Sequence, residues 1–108
     1  MIYDVVFTEK AAADLRGIYE YIAFELLEPE YAAGQIARIE QKIMQLEKFP
    51  EKFKQCEIEP WKSRNMRITS VDNYVIFYTP IKEKFQVVIN RIMYSGRDYI
   101  KQLEEADS

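Results

Sequence analysis

The sequence predicts an α+β fold with the element order β-α-α-β-β-β, in which a helical hairpin packs on an antiparallel sheet. Two observations predict the helices: apolar residues recur every three or four positions over residues 9–26 and again over residues 29–48. A third observation predicts the sheet, because β-branched and aromatic residues dominate residues 74–79 and 85–93. A chain of 108 residues is expected to form one domain, 1–108, with one core.

The first strand and the first helix are predicted at the start of the chain. Residues 2–7 alternate in the way that a strand with one apolar face does. Thr8 follows as a plausible helix N-cap, and Glu9 falls in the first turn, where the helix dipole favours a carboxylate. The apolar stripe of the helix continues to about Leu26. The strand residues expected to share the apolar face are Tyr3, Val5 and Phe7.

A second amphipathic helix is predicted from about Pro29 to Lys48. Proline disfavours a helical residue before it and suits the first helical position, so Glu28 and Pro29 mark the break between the helices. Phe49 and Pro50 end the second helix. Two helices joined by two or three residues are expected to form an antiparallel hairpin.

The second half of the chain predicts an irregular link and then a three-stranded meander. Residues 51–63 show no clear period, residues 65–69 alternate, and residues 70–73 have turn composition. Residues 80–84 are a polar hairpin loop before the last strand. Residues 74–79 are apolar on both faces, and two helices supply a cover for one face. We therefore expect an external segment to cover part of the sheet or of the helical hairpin.

The chain contains no histidine and one cysteine, Cys56. This composition excludes a Ser–His triad, a Cys–His nucleophile and a metal site built from His or a Cys cluster. Any general base must be a carboxylate, a tyrosine or a lysine, and we predict no metal and no cofactor. No apolar run approaches the roughly 20 residues that a membrane helix needs, and no signal-peptide pattern is visible. The expected location is cytoplasmic, without a membrane partner.

The net charge of −3 hides an asymmetry between the two halves of the chain. Residues 1–53 contain six basic and ten acidic residues, whereas residues 54–101 contain nine basic and five acidic residues. A basic half suggests an anionic partner, either a nucleic acid or an acidic protein surface. The overall acidity weakens the nucleic-acid alternative, because nucleic-acid-binding domains usually have a high pI.

The exit of the last predicted strand is the candidate site. The strand is expected from Phe85 to Met93, and polar and aromatic residues replace the apolar run directly afterwards. A rigid strand can position such groups where solvent reaches them. Gly96 allows the chain to turn and present Arg97. The other residues of this exit are Tyr94, Asp98 and Tyr99, of which the tyrosines can also be packing residues and Asp98 can also cap the next turn.

Two further groups of cations have alternative interpretations. Arg67 alternates with Met66 and Ile68, so it leaves their face, either as a solvated strand arginine or as a contact for an anion. Lys62 and Arg64 flank the second strand and either add to a basic binding surface or decorate a solvated link.

Arg91 alternates within the last strand and is expected to share a face with Ile89 and Met93. Its stem is then expected to pack while its head pairs with a carboxylate. Glu57 and Glu59 are candidates for that partner.

Several segments together resemble the RelE/ParE superfamily, the toxins of bacterial type II toxin–antitoxin modules. Residues 7–23, FTEKAAADLRGIYEYIA, resemble the first helix of that superfamily. Residues 67–68, RI, residues 73–78, NYVIFY, and residues 88–98, VINRIMYSGRD, resemble its sheet. The resemblance implies the fold predicted above. It also implies a cognate antitoxin protein, encoded beside the toxin, that folds as it wraps around the toxin in a hetero-oligomer.

The resemblance implies two alternative targets. ParE-like members act on DNA gyrase and stall replication, whereas RelE-like members cut mRNA in the ribosome. Tyr74 is followed here by Val75, as in ParE-like members, and not by the arginine typical of RelE-like toxins. The absence of histidine and the acidic balance also favour a ParE-like toxin without chemistry of its own. The histidine found in ParE-like members near the end of the last strand is Tyr94 here, which leaves the role of this position open.

The hypotheses assign residues as follows. A RelE-like endoribonuclease would use arginine to stabilise a charged phosphorane and tyrosine to move a proton or stack on a base. A degenerate toxin that only binds partners is the third alternative.

The catalytic candidates are Arg67, Arg97, Tyr94 and Tyr99. The candidates for target binding are Lys62, Arg64, Arg67, Arg91, Arg97 and Asp98. The residues expected at the antitoxin interface are Tyr19, Ile22, Ile36, Ile39 and Ile43.

Overall fold

The computed structural model describes residues 2–96 and residue 101. The predicted order β-α-α-β-β-β is confirmed. The strands are β1 (Asp4–Phe7), β2 (Arg67–Val71), β3 (Tyr74–Ile81) and β4 (Gln86–Tyr94). The helices are α1 (Glu9–Glu20), which continues as a π-helical segment (Tyr21–Glu25), and α2 (Pro29–Gln45). No helix within this described part of the chain is both long and apolar enough to cross a bilayer.

The sheet has the order β1-β4-β3-β2. Strands β2, β3 and β4 form the antiparallel meander that the sequence predicts. Strand β1 pairs with β4 in parallel, with Asp4 opposite Gln86 and Phe7 opposite Ile89, so the sheet as a whole is mixed. The fold class of a helical hairpin on a sheet is confirmed, and the strand that carries the candidate site lies inside the sheet between β1 and β3.

Strand β3 is longer than predicted, because it continues through Pro80 to Ile81. Strand β2 stops pairing with β3 at Tyr78, opposite Arg67. Beyond that point no strand of the described residues pairs with β3 on this side, so the N–H group that Pro80 lacks is not needed for the ladder. Similarly, β2 extends to Val71, which leaves a tighter turn between β2 and β3 than the sequence predicts.

Thr8 is the N-cap of α1, as predicted. Its Oγ1 accepts a hydrogen bond from the N–H of Ala11 at 3.0 Å and donates one to the carbonyl of Asn90 at 3.0 Å. The helix therefore begins at a residue that is also fixed to β4. The antiparallel helical hairpin is confirmed, and its two helices pack together on the sheet.

The first core lies between the helices and the sheet. Tyr3 and Val5 of the N-terminal segment pack at its edge, as the alternation predicts, whereas Phe7 is 37% exposed. The helix stripes point into this core, which explains their apolar character. The buried members of the first core are Ala11, Ile39, Ile43, Leu46, Ile76, Tyr78, Val87, Ile89 and Ile92.

The second face of the sheet is covered by the chain itself. The irregular link between α2 and β2 places Cys56, Trp61 and Met66 against the sheet, and all three are buried. This face of the sheet therefore needs no external segment, because the aperiodic link supplies the apolar cover that the helices do not. The alternative, that an external segment covers part of the helical hairpin, stays a prediction. The members of this second core are Cys56, Trp61, Met66, Val75, Phe77 and Met93.

Candidate functional site

The exit of β4 is held against the turn between β2 and β3. The N–H of Ser95 and its Oγ both donate to the carbonyl of Asn73, at 2.8 and 2.9 Å. Tyr94 is 47% exposed and packs edge-on against Tyr74, with ring centroids 5.9 Å apart. A Cβ atom on Gly96 would lie 2.6 Å from Cζ of Tyr94, so glycine is needed for the ring to fold over the backbone here. The exit therefore presents a pair of tyrosines in a fixed position.

Arg97, Asp98 and Tyr99 lie outside the described residues. Their assignment as target-binding or catalytic residues stays a prediction. The structure places the point from which they continue, since the exposed Tyr94 ring lies against Gly96, the last residue described before them.

Arg91 is bound by a carboxylate from the first helix. Its Nε and Nη2 donate to the two oxygens of Asp14 at 2.7 and 2.9 Å, and the N–H of Ile92 donates to the same carboxylate at 3.0 Å. Hydrogen bonding to Asp14 raises the pKa of the Arg91 guanidinium further above its usual value. The predicted packing and pairing of Arg91 are confirmed, but Glu57 and Glu59 are the wrong partners. Glu59 instead accepts hydrogen bonds from the backbone and hydroxyl of Ser63.

A β-bulge explains why simple alternation fails around Arg91. Phe77 is paired with Arg91, whereas the next residue of β3, Tyr78, is paired with Ile89, so β4 has one extra residue here. Such a bulge changes which face each following side chain occupies. Ile89 consequently belongs to the first core and Met93 to the second, and they do not share a face as alternation predicts.

Arg67 fastens the irregular link to β2. Its Nη1 donates to the carbonyls of Phe53 at 2.9 Å and Glu51 at 3.2 Å. Its Nε is buried and has no hydrogen-bond partner within the described residues. The side chain also lines an open polar pocket of about 240 Å³. The lining residues are Glu51, Asn65, Arg67, Pro80, Lys82 and Glu83.

Arg67 and Tyr94 are far apart in the sheet. Arg67 lies opposite Tyr78 of β3, whereas Tyr94 lies opposite Tyr74. Four residues of an extended strand separate these two positions, which is roughly 13 Å along β3. The two side chains are also on opposite sides of β3, because β2 and β4 flank it. The structure therefore does not bring these two catalytic candidates together.

Tyr78 is a polar residue that pattern analysis assigns only to a strand. Its side chain is fully buried, and its hydroxyl donates to the carbonyl of Pro50 at 2.7 Å. Burial raises the pKa of Tyr78 to about 12, opposed by the positive charge of Arg67. Such a hydroxyl stays protonated at neutral pH and fixes the segment that follows α2 to the sheet. No local sequence signal distinguishes it from Tyr74.

The remaining predicted target-binding cations lie on the link. Lys62 and Arg64 are exposed on either side of Ser63, just after the buried Trp61. They are thus carried by the segment that covers the second face. Among the described residues, no group of three acidic, cysteine or histidine side chains is placed to hold a metal ion.

The five residues predicted at the antitoxin interface are mostly internal. Ile22, Ile39 and Ile43 are 3% exposed or less, and Ile36 is partly buried. Tyr19, which is 37% exposed, is the one of the five that solvent reaches readily. The helix stripes that suggested these residues mostly face the core, and the assignment of the five residues to an antitoxin interface stays a prediction.

A helical hairpin on a four-stranded mixed sheet is the architecture of RelE/ParE superfamily toxins. The family described as ParE toxin of type II toxin–antitoxin system, parDE, matches residues 5–99. The chain therefore belongs to the ParE toxin family. A search among curated proteins found no match.

Solved structures of type II modules share this fold. The chromosomal ParDE system from P. aeruginosa matches with a TM-score of 0.69 and 23% identity, over 86% of this chain and 96% of that chain. The RelBE2 toxin–antitoxin complex from Mycobacterium tuberculosis matches with a TM-score of 0.63 and 23% identity, over 87% and 99%. The isolated E. coli RelE toxin matches with a TM-score of 0.60 and 16% identity, over 96% and 98%.

Proposed function

We propose that this type II toxin arrests bacterial growth in the manner of ParE-like proteins, by binding DNA gyrase and blocking replication, and that its cognate antitoxin prevents this. The toxin class follows from the family. The choice of gyrase rests on the side chains of the candidate site and on the match to the ParE toxin family.

The observation that carries this proposal is the separation of Arg67 from Tyr94 in the sheet. Phosphodiester cleavage needs a proton-transfer group and a cation within reach of the same phosphate. Arg91 is bound by Asp14, and Val75, which stands where RelE-like toxins have an arginine, is 5% exposed. The described side chains thus support recognition of a protein surface better than cleavage of RNA.

A ribosome-dependent mRNA endoribonuclease is the second candidate. One observation favours it: Nε of Arg67 lacks a hydrogen-bond partner in the described structure and lies beside an open polar pocket. In that function Arg67 and Arg97 would contact the scissile phosphate, and Tyr94 or Tyr99 would move the proton or stack on a base.

Induced expression in a bacterium that lacks the antitoxin tests the two candidates against each other. Gyrase inhibition should produce filamentous cells with damaged DNA and intact messages, and the purified chain should inhibit supercoiling by purified gyrase. Rapid loss of protein synthesis with cleaved messages would instead establish the endoribonuclease. Absence of toxicity would indicate a chain that only binds partners.

Arg97→Ala is the matching variant at the site. We expect it to abolish toxicity while the circular dichroism spectrum and antitoxin binding stay unchanged, because Arg97 follows the exposed exit of β4. Arg16→Ala, which removes an exposed arginine of α1, is the control and should remain toxic. Full toxicity of Arg97→Ala would show that the site lies elsewhere.

A further inference from the structure

The connection between the two helices exposes an unusual amount of apolar surface. We call residues 19–31 the hairpin tip; they comprise the end of α1, the π-helical segment, the connection and the start of α2. Of the thirteen large hydrophobic residues exposed in the described structure, six lie in these thirteen positions. Such clustering marks a contact surface, whereas scattered exposed residues need no explanation. The six are Tyr19, Tyr21, Phe24, Leu26, Leu27 and Tyr31.

The hairpin tip is also uniformly acidic. No lysine or arginine occurs between Arg16 and Arg38. The same stretch contains four glutamates, and the structure exposes all of them to solvent. A surface that alternates exposed apolar and acidic side chains is complementary to a segment that alternates apolar and basic ones. The four carboxylates are those of Glu20, Glu25, Glu28 and Glu30.

The hairpin tip is held in a defined shape. Ile22, Ala23 and Ala32 form a small core beneath it. The N–H of Leu26 bonds the carbonyl of Tyr21 at 3.0 Å, and the N–H of Glu28 bonds that of Ile22 at 3.0 Å. These contacts close the end of the first helix, so the exposed side chains start from fixed backbone positions.

Leu27 combines a left-handed backbone conformation with an exposed apolar side chain. Its φ of 57° lies in the left-handed region, which glycine or asparagine adopts readily and leucine rarely does. Its side chain is 76% exposed, so it gains nothing from the cores of this chain. The end of the helix explains this backbone conformation, because the N–H of Glu28 bonds the carbonyl of Ile22, but glycine or asparagine is the usual residue at such an end. An exposed leucine here therefore adds apolar surface that the helix end does not need. Π-helical segments such as the adjacent one are also frequent at functional sites.

We propose that the hairpin tip is the docking surface for a cationic, amphipathic segment of the antitoxin. The proposal rests on the proposed function, in which the chain is a toxin with a cognate antitoxin. Apolar side chains of that segment would cover Phe24 and Leu27, and its lysines or arginines would pair with Glu25 and Glu28. Two copies joined tip to tip would bring like charges together, and an anionic membrane would repel the same carboxylates.

The test compares binding of the wild-type chain and of tip variants to the protein encoded by the adjacent reading frame. Leu27→Asn removes the apolar side chain but keeps a residue that tolerates the left-handed conformation. The combined variant Glu25→Lys, Glu28→Lys reverses charge on the tip. We expect each variant to weaken binding at least tenfold in isothermal titration calorimetry, and the charge variant to lose most of the dependence of affinity on salt between 50 and 300 mM NaCl.

The controls place the same changes on α2, away from the tip. Met44 is 60% exposed and Glu40 is exposed, so Met44→Asn repeats the loss of an apolar side chain and Glu40→Lys repeats one of the two charge reversals. Both controls should bind the antitoxin like the wild type. In cells, the tip variants should remain toxic and escape neutralisation by the co-expressed antitoxin, whereas the controls should be neutralised.

Three results would overturn the proposal. Tip variants that bind with wild-type affinity would place the antitoxin elsewhere. A change in the sedimentation of the toxin alone on mutation would assign the tip to a second copy. Tip-dependent binding to phosphatidylglycerol vesicles would assign it to a membrane. The outcome of the gyrase and ribosome assays does not affect this test, because the calorimetric measurement of antitoxin binding needs neither target.

Discussion

The Arg91 guanidinium and the Asp14 carboxylate are mostly shielded from water, with side chains 19% and 16% exposed. Removing the carboxylate leaves a positive charge without its partner and the N–H of Ile92 without its acceptor. We expect Asp14→Ala to lower the free energy of unfolding by about 2–4 kcal/mol. Urea denaturation followed by circular dichroism would measure this change.

The ion pair between Arg38 and Asp72 is the control for that experiment. Its side chains are 44% and 39% exposed, although its nitrogen–oxygen distance of 2.7 Å equals that of the Arg91–Asp14 pair. Exposed pairs contribute little to stability because water screens them. Arg38→Ala should therefore leave the urea midpoint nearly unchanged. Equal effects of Arg38→Ala and Asp14→Ala would contradict the structural role given to Asp14.

Tyr78 gives the stability a pH dependence at alkaline pH. Burial raises its pKa to about 12 in the folded protein, against about 10 in the unfolded chain. As pH rises, the unfolded chain loses the Tyr78 proton before the folded protein does. The contribution of Tyr78 to the free energy of unfolding is therefore complete below a pH of about 10 and is lost as the pH rises to about 12. Tyr78→Phe should cost about 1 kcal/mol at pH 7, because the carbonyl of Pro50 loses its donor.

The stability difference between wild type and Tyr78→Phe should therefore shrink, or change sign, between pH 8 and pH 11. Urea denaturation of both proteins at pH 8 and at pH 11 measures this stability difference. Because the two proteins share all other titrating groups, the effects of those groups cancel in the difference. A constant difference across this range would show that the Tyr78 hydroxyl titrates normally.

At the scale of elements, Thr8 joins three of them. It follows β1, caps α1, and bonds β4 through its hydroxyl to Asn90 and through its N–H to Ile89. Thr8→Ala should lower the free energy of unfolding by about 1–2 kcal/mol, because one helix N–H and one strand carbonyl lose their partners. Thr8→Ser keeps the hydroxyl and should recover most of this loss in the same denaturation assay. Equal loss in both variants would mean that the methyl group, not the hydroxyl, matters.

Elements defined by local patterns could be predicted, whereas those defined by distant contacts could not. The N-cap at Thr8, both helices and the meander follow from residues close together in sequence. The parallel pairing of β1 with β4 and the ion pair of Arg91 with Asp14 depend on partners that are about 80 residues away. The bulge beside Arg91 shifts the register between β3 and β4, which alternation along one strand does not reveal. Pro80 suggested that β3 ends at Thr79. The strand continues because its neighbour β2, which would need the N–H of residue 80, stops pairing at Tyr78.

At the scale of the whole molecule, the sheet is enclosed on both faces, and Trp61 of the irregular link is 4% exposed. Trp61→Ala should lower the free energy of unfolding by about 3–5 kcal/mol and increase binding of a hydrophobic dye, because it uncovers the second core. Phe49→Ala is the control, since Phe49 is 64% exposed and its loss should change neither measurement. An unchanged dye signal for Trp61→Ala would show that the link does not seal this face.

The candidate site was located from the sequence only as a region. The exit of β4 does present Tyr94 to solvent, as the change from apolar to polar residues indicated. The sequence could not separate Arg67 from this exit, because the sheet order that puts β3 between them is a property of the assembled fold. The apolar helix stripes likewise suggested an antitoxin surface, but most of the stripe residues named for it face the core, and Tyr19 is the one that also lies on the exposed hairpin tip.

The parallel pairing of β1 with β4 also determines when the protein becomes complete during its synthesis. The first strand to leave the ribosome pairs with the last one, and Thr8 and Asn90, which bond at this junction, are 82 residues apart. Ribosomes add about 5–20 residues per second, so this interval is on the order of 4 to 16 seconds. The hairpin tip is synthesised well before β4, the strand whose exit carries the candidate site. An antitoxin that binds the tip would therefore have seconds to reach the nascent toxin before the toxin can act.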